Sequence, residues 1–434
     1  MLKIHFGRKQ RNCEGISRRN VLQVSGAGLG ALALPGLQGS RALAGQTPQP
    51  ARKTSVVWLW LNGGPTQIET FDPQMNAPVE FRSVSGEVKT KLPGVTVGGH
   101  FGGLAQVADR MAFVRSFEVP TSSHRLGAFW LNTGHAQADD RPSLGSIASR
   151  ALGPNHPETG MPTYVQMGRV GFGEYANAMT GPSWLGKACG PFTPEGSARE
   201  NMTLNVELPR LDNRRALLNQ LDQFRREADA NGVMDGIDGF NQQALNLILG
   251  SAPQAFDVKQ EDPALVAEYG EGLGESMLAA RRLCEAGCGF VCVSYQGWDM
   301  HGAIEKNMDR RGPEVDRAVS AFVRDIYQRG LDENILLVVS GEFGRTPRIN
   351  KKAGRDHWGG LSTLALSGGG LQMGQVVGES TPRAEAVKSG RVTPQDLMAT
   401  VFHVLGIPQA IHFDEPGGRP VPMLSGGRPI DGLV

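Results

Sequence analysis

Thr54-Ser55-Val56-Val57-Trp58-Leu59-Trp60-Leu61-Asn62-Gly63-Gly64-Pro65 is the stretch that decides the fold. Its β-branched and aromatic residues run together and stop at two glycines and a proline. That is the pattern of a strand buried on both faces and followed by a sharp turn. Similar runs predict strands over 111–116, 163–167, 289–296, 335–340 and 362–367. Helical patterns lie between them, at 124–132, 211–230, 236–249, 272–285, 313–329 and 394–405. Strands alternating with helices imply an α/β fold, with a mostly parallel central sheet covered on both sides in three αβα layers. The stretch 164–206 is rich in Gly and Pro without a clear period, and is expected to be an irregular insertion over one end of the sheet.

The 434 residues are 40% hydrophobic and 20% charged, with a formal net charge of +1, which excludes a disordered chain, a collagen-like fibre and a multi-span membrane protein. The near-zero charge also argues against a nucleic-acid partner, because neutralising phosphates takes an excess of Lys and Arg.

Residues 1–44 stand apart. Ser17-Arg18-Arg19-Asn20-Val21-Leu22-Gln23 is a twin-arginine pattern, followed by a mild apolar stretch over 21–34 and by Ala42-Leu43-Ala44, with small residues where a signal peptidase reads. The apolar run is too short and too glycine-rich to be a permanent span. The order of charge, apolar run and small residues predicts a leader handled by the twin-arginine export machinery, and a periplasmic or extracellular product. One domain is expected from residue 45 to residue 434, with a net charge of about −5. Cys189, Cys284, Cys288 and Cys292 remain in it, and small buried residues are the favoured reading of all four.

The chemistry-bearing residues gather where strands end, which is where open α/β sheets build sites. Asn62 ends the first strand, Asp299 and His301 follow the strand at 289–296, and Glu342 follows the strand at 335–340. His357 lies in a loop fifteen residues after Glu342. Singly, each is a turn residue or a helix cap; recurring at consecutive strand ends, the set points to a metal or anion site. Asp299 and His301 are two apart, so on an extended segment they share a side and can share an ion, or else Asp299 caps the next helix and His301 packs. Glu342 either joins the site or pairs with Arg345. Asp356 and His357 are adjacent and face opposite ways, so one can bind an ion while the other orients a neighbour.

The motifs at 62–73 (NGGPTQIETFDP), 297–301 (GWDMH), 340–347 (SGEFGRTP) and 354–358 (GRDHW) together resemble the exported family grouped as domain of unknown function 1501. The likeness runs from residue 56 to about residue 431. That family is similar in turn to the alkaline phosphatase superfamily, which includes sulfatases and phosphomutases. Those enzymes hold two divalent metals beside a nucleophile and cleave phosphate or sulfate esters. The resemblance implies an alkaline-phosphatase-like fold. It also implies metal ligands at Asn62, Asp299, His301, Glu342 and His357, and a nucleophile at the start of the helix that begins at His124. Three positions depart from the superfamily pattern. His124 stands at the nucleophile position, with Ser122 and Ser123 beside it; Phe343 replaces an imidazole; and Asn62 replaces a carboxylate.

Two functions are expected from this. The first is an exported hydrolase of phosphate or sulfate esters using a divalent metal (Zn, Mn, Mg or Ca). His124 or Ser123 would attack or act as base, and Arg345 would stabilise developing charge; the substrate would be a small-molecule or polysaccharide ester. The second is a non-catalytic periplasmic binding or assembly protein that kept the fold.

Overall fold

The computed structural model describes residues 54–136, 141–171, 173–194 and 252–434. The expected leader, the helices expected at 211–230 and 236–249, and the part of the expected insertion beyond residue 194 lie outside the described residues.

Seven strands form one sheet: β1 (Ser55–Asn62), β2 (Ala112–Val114), β3 (Tyr164–Met167), β4 (Phe290–Gln296), β5 (Ile335–Ser340), β6 (Leu364–Gly368) and β7 (Gln375–Val377). Their order across the sheet is β7-β2-β6-β5-β1-β4-β3. β1 lies between β4 and β5, parallel to both, and β3 pairs parallel with β4. β6 runs against both of its neighbours, and β7 is parallel to β2. Six of the seven strands therefore point one way, and the sheet is mostly parallel. The edge strand β7 was not expected, because its three residues are too few to carry a pattern.

Alternation along β1 divides the core. Val57, Leu59 and Leu61 pack with α4 (Leu273–Glu285) and α5 (Ile304–Gln328), through Met277, Leu278, Val315 and Phe322. Val56, Trp58 and Trp60 face α1 (His124–Thr133), α2 (Leu144–Leu152) and α6 (Pro394–Val404), through Phe129, Leu131, Ile147 and Phe402. With helices on both faces the strands need no polar side, so the three layers follow from the apolar runs.

Two elements differ from expectation. Helix α5 begins at Ile304 rather than at residue 313, with Pro313 inside it. Ile304 and Met308 continue the buried stripe of Val315 and Phe322, and their burial outweighs the backbone hydrogen bond that proline removes. Gly312 accommodates the crossing of residue 100, since a Cβ there would meet that of His100 at 2.6 Å. Within the stretch expected to be irregular, Gly173–Thr180 forms a helix, α3.

All four cysteines of the described residues are buried. Among the described residues no helix is long and apolar enough to cross a membrane.

Candidate metal centre

The carboxyl ends of β1, β4 and β5 meet the start of α1 and the loop that ends at His357. Two glycines make the approach possible. Gly63 has φ +119°, and a Cβ on it would lie 2.3 Å from the backbone nitrogen of Asp299; one on Gly354 would lie 2.2 Å from the carbonyl carbon of His301. Any side chain at either place would push the loops apart, so both glycines belong to the site's construction.

Asp299 is the centre of the arrangement. Its Oδ1 lies 3.0 Å from His301 Nε2 and 3.0 Å from His357 Nε2, and its Oδ2 lies 3.5 Å from His124 Nε2. The two nitrogens His301 Nε2 and His357 Nε2 are 2.9 Å apart. Ligand-type atoms of His124, Asp299 and His357 all lie within 4.8 Å of one another.

The opposite nitrogen of each ring is anchored to an oxygen that only accepts. His124 Nδ1 donates to Glu342 Oε1 at 2.6 Å, His301 Nδ1 to Asp356 Oδ1 at 2.7 Å, and His357 Nδ1 to the carbonyl of Ser122 at 3.0 Å. A neutral imidazole has one N–H and one lone pair, so these bonds commit all three rings to presenting the Nε2 lone pair inward. There the lone pairs meet each other and a carboxylate. Acceptors facing acceptors at 3 Å call for positive charge among them: Arg345 donates to Asp299 Oδ1, and a proton or a metal ion between the imidazole nitrogens supplies the rest. A carboxylate or carbonyl behind each histidine is the usual setting of metal-ligating imidazoles. The donor set therefore fits a divalent cation.

In the metal-free protein a proton supplies part of that charge. Burial works to lower the pKa of His124, but its hydrogen bonds to Asp299 and Glu342 and their charges outweigh it and raise the value to about 9. Burial opposes ionisation of Asp299, but hydrogen bonds from His124, His357 and Arg345, with the Arg345 charge, hold it well below the usual carboxylate range.

The expected site residues are distributed unevenly. Asp299, His301 and His357 converge, and α5 starts at Ile304 behind the N-cap Ala303, so Asp299 does not cap it. His124 stands among the ligand-type atoms, at the first position of α1. Glu342 is fully buried and touches neither Asp299 nor Arg345 in any ion pair of the described residues. Its Oε1 accepts from His124 and from the Gly63 N–H at 3.0 Å, so it acts behind the ligands. Asn62 pairs with Gln296 at the end of the ladder, and its carbonyl accepts from the Trp298 N–H at 3.0 Å. Its side-chain Nδ2 is buried without a hydrogen-bond partner and cannot hold a cation, so only the amide oxygen of Asn62 could serve as a ligand.

Arg345 corrects a further expectation. It was expected to stabilise charge on a substrate, but its side chain is fully buried and already engaged. It donates to the carbonyls of Gly63, Gly64 and Arg355 and to Asp299. It fixes Asp299 and ties the motif at 62–73 to the loop that carries His357. Arg355 does related work, pairing with buried Glu69 at 3.0 Å and donating to the carbonyls of Arg82 and Thr346. Ser123 is the exposed N-cap of α1, next to His124.

Three participants were not foreseen from sequence. The Ser122 carbonyl carries no side-chain signal at all. Phe343 packs against the rings of both His124 and His357, with centroids 4.9 and 4.6 Å away. Tyr175, on α3, sets its ring edge-on to His124 at 6.5 Å.

The chain belongs to the family described as protein of unknown function DUF1501, whose model matches residues 53–434. No curated protein matches the sequence. Among solved structures it is similar to the PsFucS1 sulfatase from Pseudoalteromonas sp., at 13% identity over 87% of this chain and 72% of that one, with a TM-score of 0.37. It is also similar to the lipoteichoic acid synthase LtaP from Listeria monocytogenes, at 11% identity over 91% and 81%, with a TM-score of 0.36. The phosphonate monoester hydrolase SpPMH from Silicibacter pomeroyi matches at 13% identity over 87% and 78%, with a TM-score of 0.31. Likeness this remote transfers no chemistry to the chain.

Proposed function

We propose that this member of the DUF1501 family is an exported, metal-dependent hydrolase of phosphate or sulfate esters. The observation that supports it is the set of three histidines, each anchored through Nδ1, whose Nε2 atoms turn toward Asp299. His124, Asp299 and His357 would hold the ion, with His301 adjoining through the same two partner atoms. A divalent ion there supplies Lewis-acid polarisation of an ester oxygen and an acidified water.

The chain's own residues do the remainder. Glu342, Asp356 and the Ser122 carbonyl hold the Nδ1 protons and so keep each ring in its binding tautomer. Arg345 fixes the Asp299 carboxylate. The first turn of α1, beginning at His124, directs backbone N–H groups toward the cluster and favours an anionic ester there. With His124 acting as a ligand, the exposed Ser123 hydroxyl beside it is the attacking group offered. The twin-arginine pattern at residues 17–23 supports work outside the cytoplasm, on small-molecule or polysaccharide esters.

The test is zinc and manganese titration of chelator-stripped protein by calorimetry, with 4-nitrophenyl phosphate and 4-nitrophenyl sulfate as substrates. Metal-dependent turnover that His357→Ala abolishes is the expected result; turnover unchanged in that variant overturns the proposal. A second reading, a non-catalytic ion-binding protein, is favoured by one feature: the imidazole at the position where the resemblance implies a nucleophile is locked to buried Glu342. Tight metal binding with neither ester cleaved selects it.

A further inference from the structure

Tyr175 is the unabsorbed feature nearest the site. Its hydroxyl oxygen accepts from the indole N–H of Trp60 at 3.0 Å. An indole nitrogen only donates, so the single phenolic proton has to go to another acceptor. Glu342 offers one. Its Oε1 already takes the N–H groups of His124 and Gly63, while its Oε2 is buried without a hydrogen bond of good geometry, and the Tyr175 hydroxyl interacts with this carboxylate. A buried carboxylate oxygen left bare is costly, and native structures rarely leave one so. All three side chains lie on the α1 side of the sheet: Trp60 alternates onto that face of β1, Tyr175 packs against that cluster, and Glu342 follows β5.

We infer that Tyr175 is a positioning residue for the metal centre, donating its hydroxyl proton to Glu342 Oε2 and thereby fixing the carboxylate that orients His124. The chain of donors runs from Trp60 to Tyr175 to Glu342, and His124 donates to the same carboxylate from the other side. Burial and then the charge of Glu342 push the Tyr175 hydroxyl well up from its ordinary value, so it keeps its proton. Helix α3, a part of the stretch read from sequence as an irregular cover, would in this way reach into the site it covers.

The inference rests on the metal reading for one of its consequences and is independent of it for the other. Tyr175→Phe removes only the oxygen and leaves the ring against His124. In the zinc-binding protein the expected result is a loss of about tenfold in zinc affinity, the lower end of what partners behind a ligand contribute. That loss should vanish in a Glu342→Gln background, because the coupling runs through Glu342. A merely structural tyrosine would lower the melting temperature in both backgrounds and leave zinc affinity untouched. In the metal-free protein the Nδ1 proton resonance of His124 should shift in Tyr175→Phe, because Glu342, its acceptor, has lost a donor. This readout needs neither metal nor the Glu342 variant. Wild-type protein that takes up no zinc overturns the metal reading and leaves the resonance to decide the inference. An unmoved resonance, or zinc affinity unchanged in Tyr175→Phe, overturns the inference alone.

Discussion

Two clusters of charge in this molecule use similar residues to opposite effect. Between α4, α5 and the short helix Pro263–Tyr269, Arg281 pairs with Asp325 at 2.9 Å and with Glu261 at 3.0 Å, and Arg329 pairs with the other oxygen of Asp325 at 2.6 Å. Arg282 adds a bond to Glu261, and Tyr269 donates to Asp325 at 2.8 Å. In that cluster a donor faces an acceptor at each of these contacts. At the strand ends, Asp299, Glu342 and Asp356 meet three histidines, and once each Nδ1 proton is spent the inward contacts are acceptor against acceptor. The helix cluster matches its carboxylates with guanidinium groups, only Arg281 Nη2 lacking a hydrogen bond of good geometry, whereas at the strand ends Arg345 serves Asp299 and the imidazole nitrogens still face one another with no donor between them. A count of charged residues does not separate them; a donor-by-donor inventory does.

The sharpest break between the two is His357→Ala. Zinc binding should disappear in calorimetry while the thermal midpoint of the metal-free protein holds, and retained binding would place the ion elsewhere. Arg281→Ala should do the reverse. Asp325 keeps Arg329 and Tyr269, and Glu261 keeps Arg282, so losing one of several buried charged partners should destabilise the fold by about 1–3 kcal/mol, with zinc affinity of the folded fraction unchanged in denaturant and calorimetric titrations. Smaller again is Asp356→Asn, which removes the negative charge behind His301. Zinc affinity should fall about 10–100-fold without loss of fold, and an unaltered affinity would remove His301 from the ligand set.

The smallest effect is in pH, where the clusters should respond at opposite ends of the scale. His124 has its value raised from 6.5 to about 9 in the folded, metal-free protein, so its contribution to stability is full below 6.5 and is lost as pH rises through 9. Burial works to raise Glu261, but Arg281 and Arg282 outweigh it and lower the value from 4.5, so its contribution is present above that figure and is lost as pH falls through the depressed value. Added zinc replaces the proton on His124, and melting curves with zinc should lose the alkaline decline that curves with a chelator show. An alkaline limb identical in both would separate His124 from the ion.

Much of the scaffold was legible because it depends on patterns along the chain. The apolar run ending at Gly63 fixed a strand buried on both faces, and with it the parallel sheet and its covering layers. Helix α3 and strand β7 were not legible, since each is short and its burial is supplied by neighbours rather than by its own period. Of the site, the strand-end positions of Asp299, His301 and His357 could be read in advance. Sequence placed Glu342 among the ligands and left Arg345 free to act on a substrate, and the tertiary structure set one behind His124 and the other behind Asp299.

What the sequence determined by itself was which chemistry-bearing side chains the strands would deliver to one rim of the sheet, because strand ends and their glycine turns are local features. What only the tertiary structure decided was which nitrogen of each histidine faces an acceptor-only oxygen. That depends on angles between loops 55 to 235 residues apart, as between His301 and Asp356 or between Ser122 and His357. An imidazole is donor on one side and acceptor on the other, and its neighbours in space, not in the chain, settle which side is which.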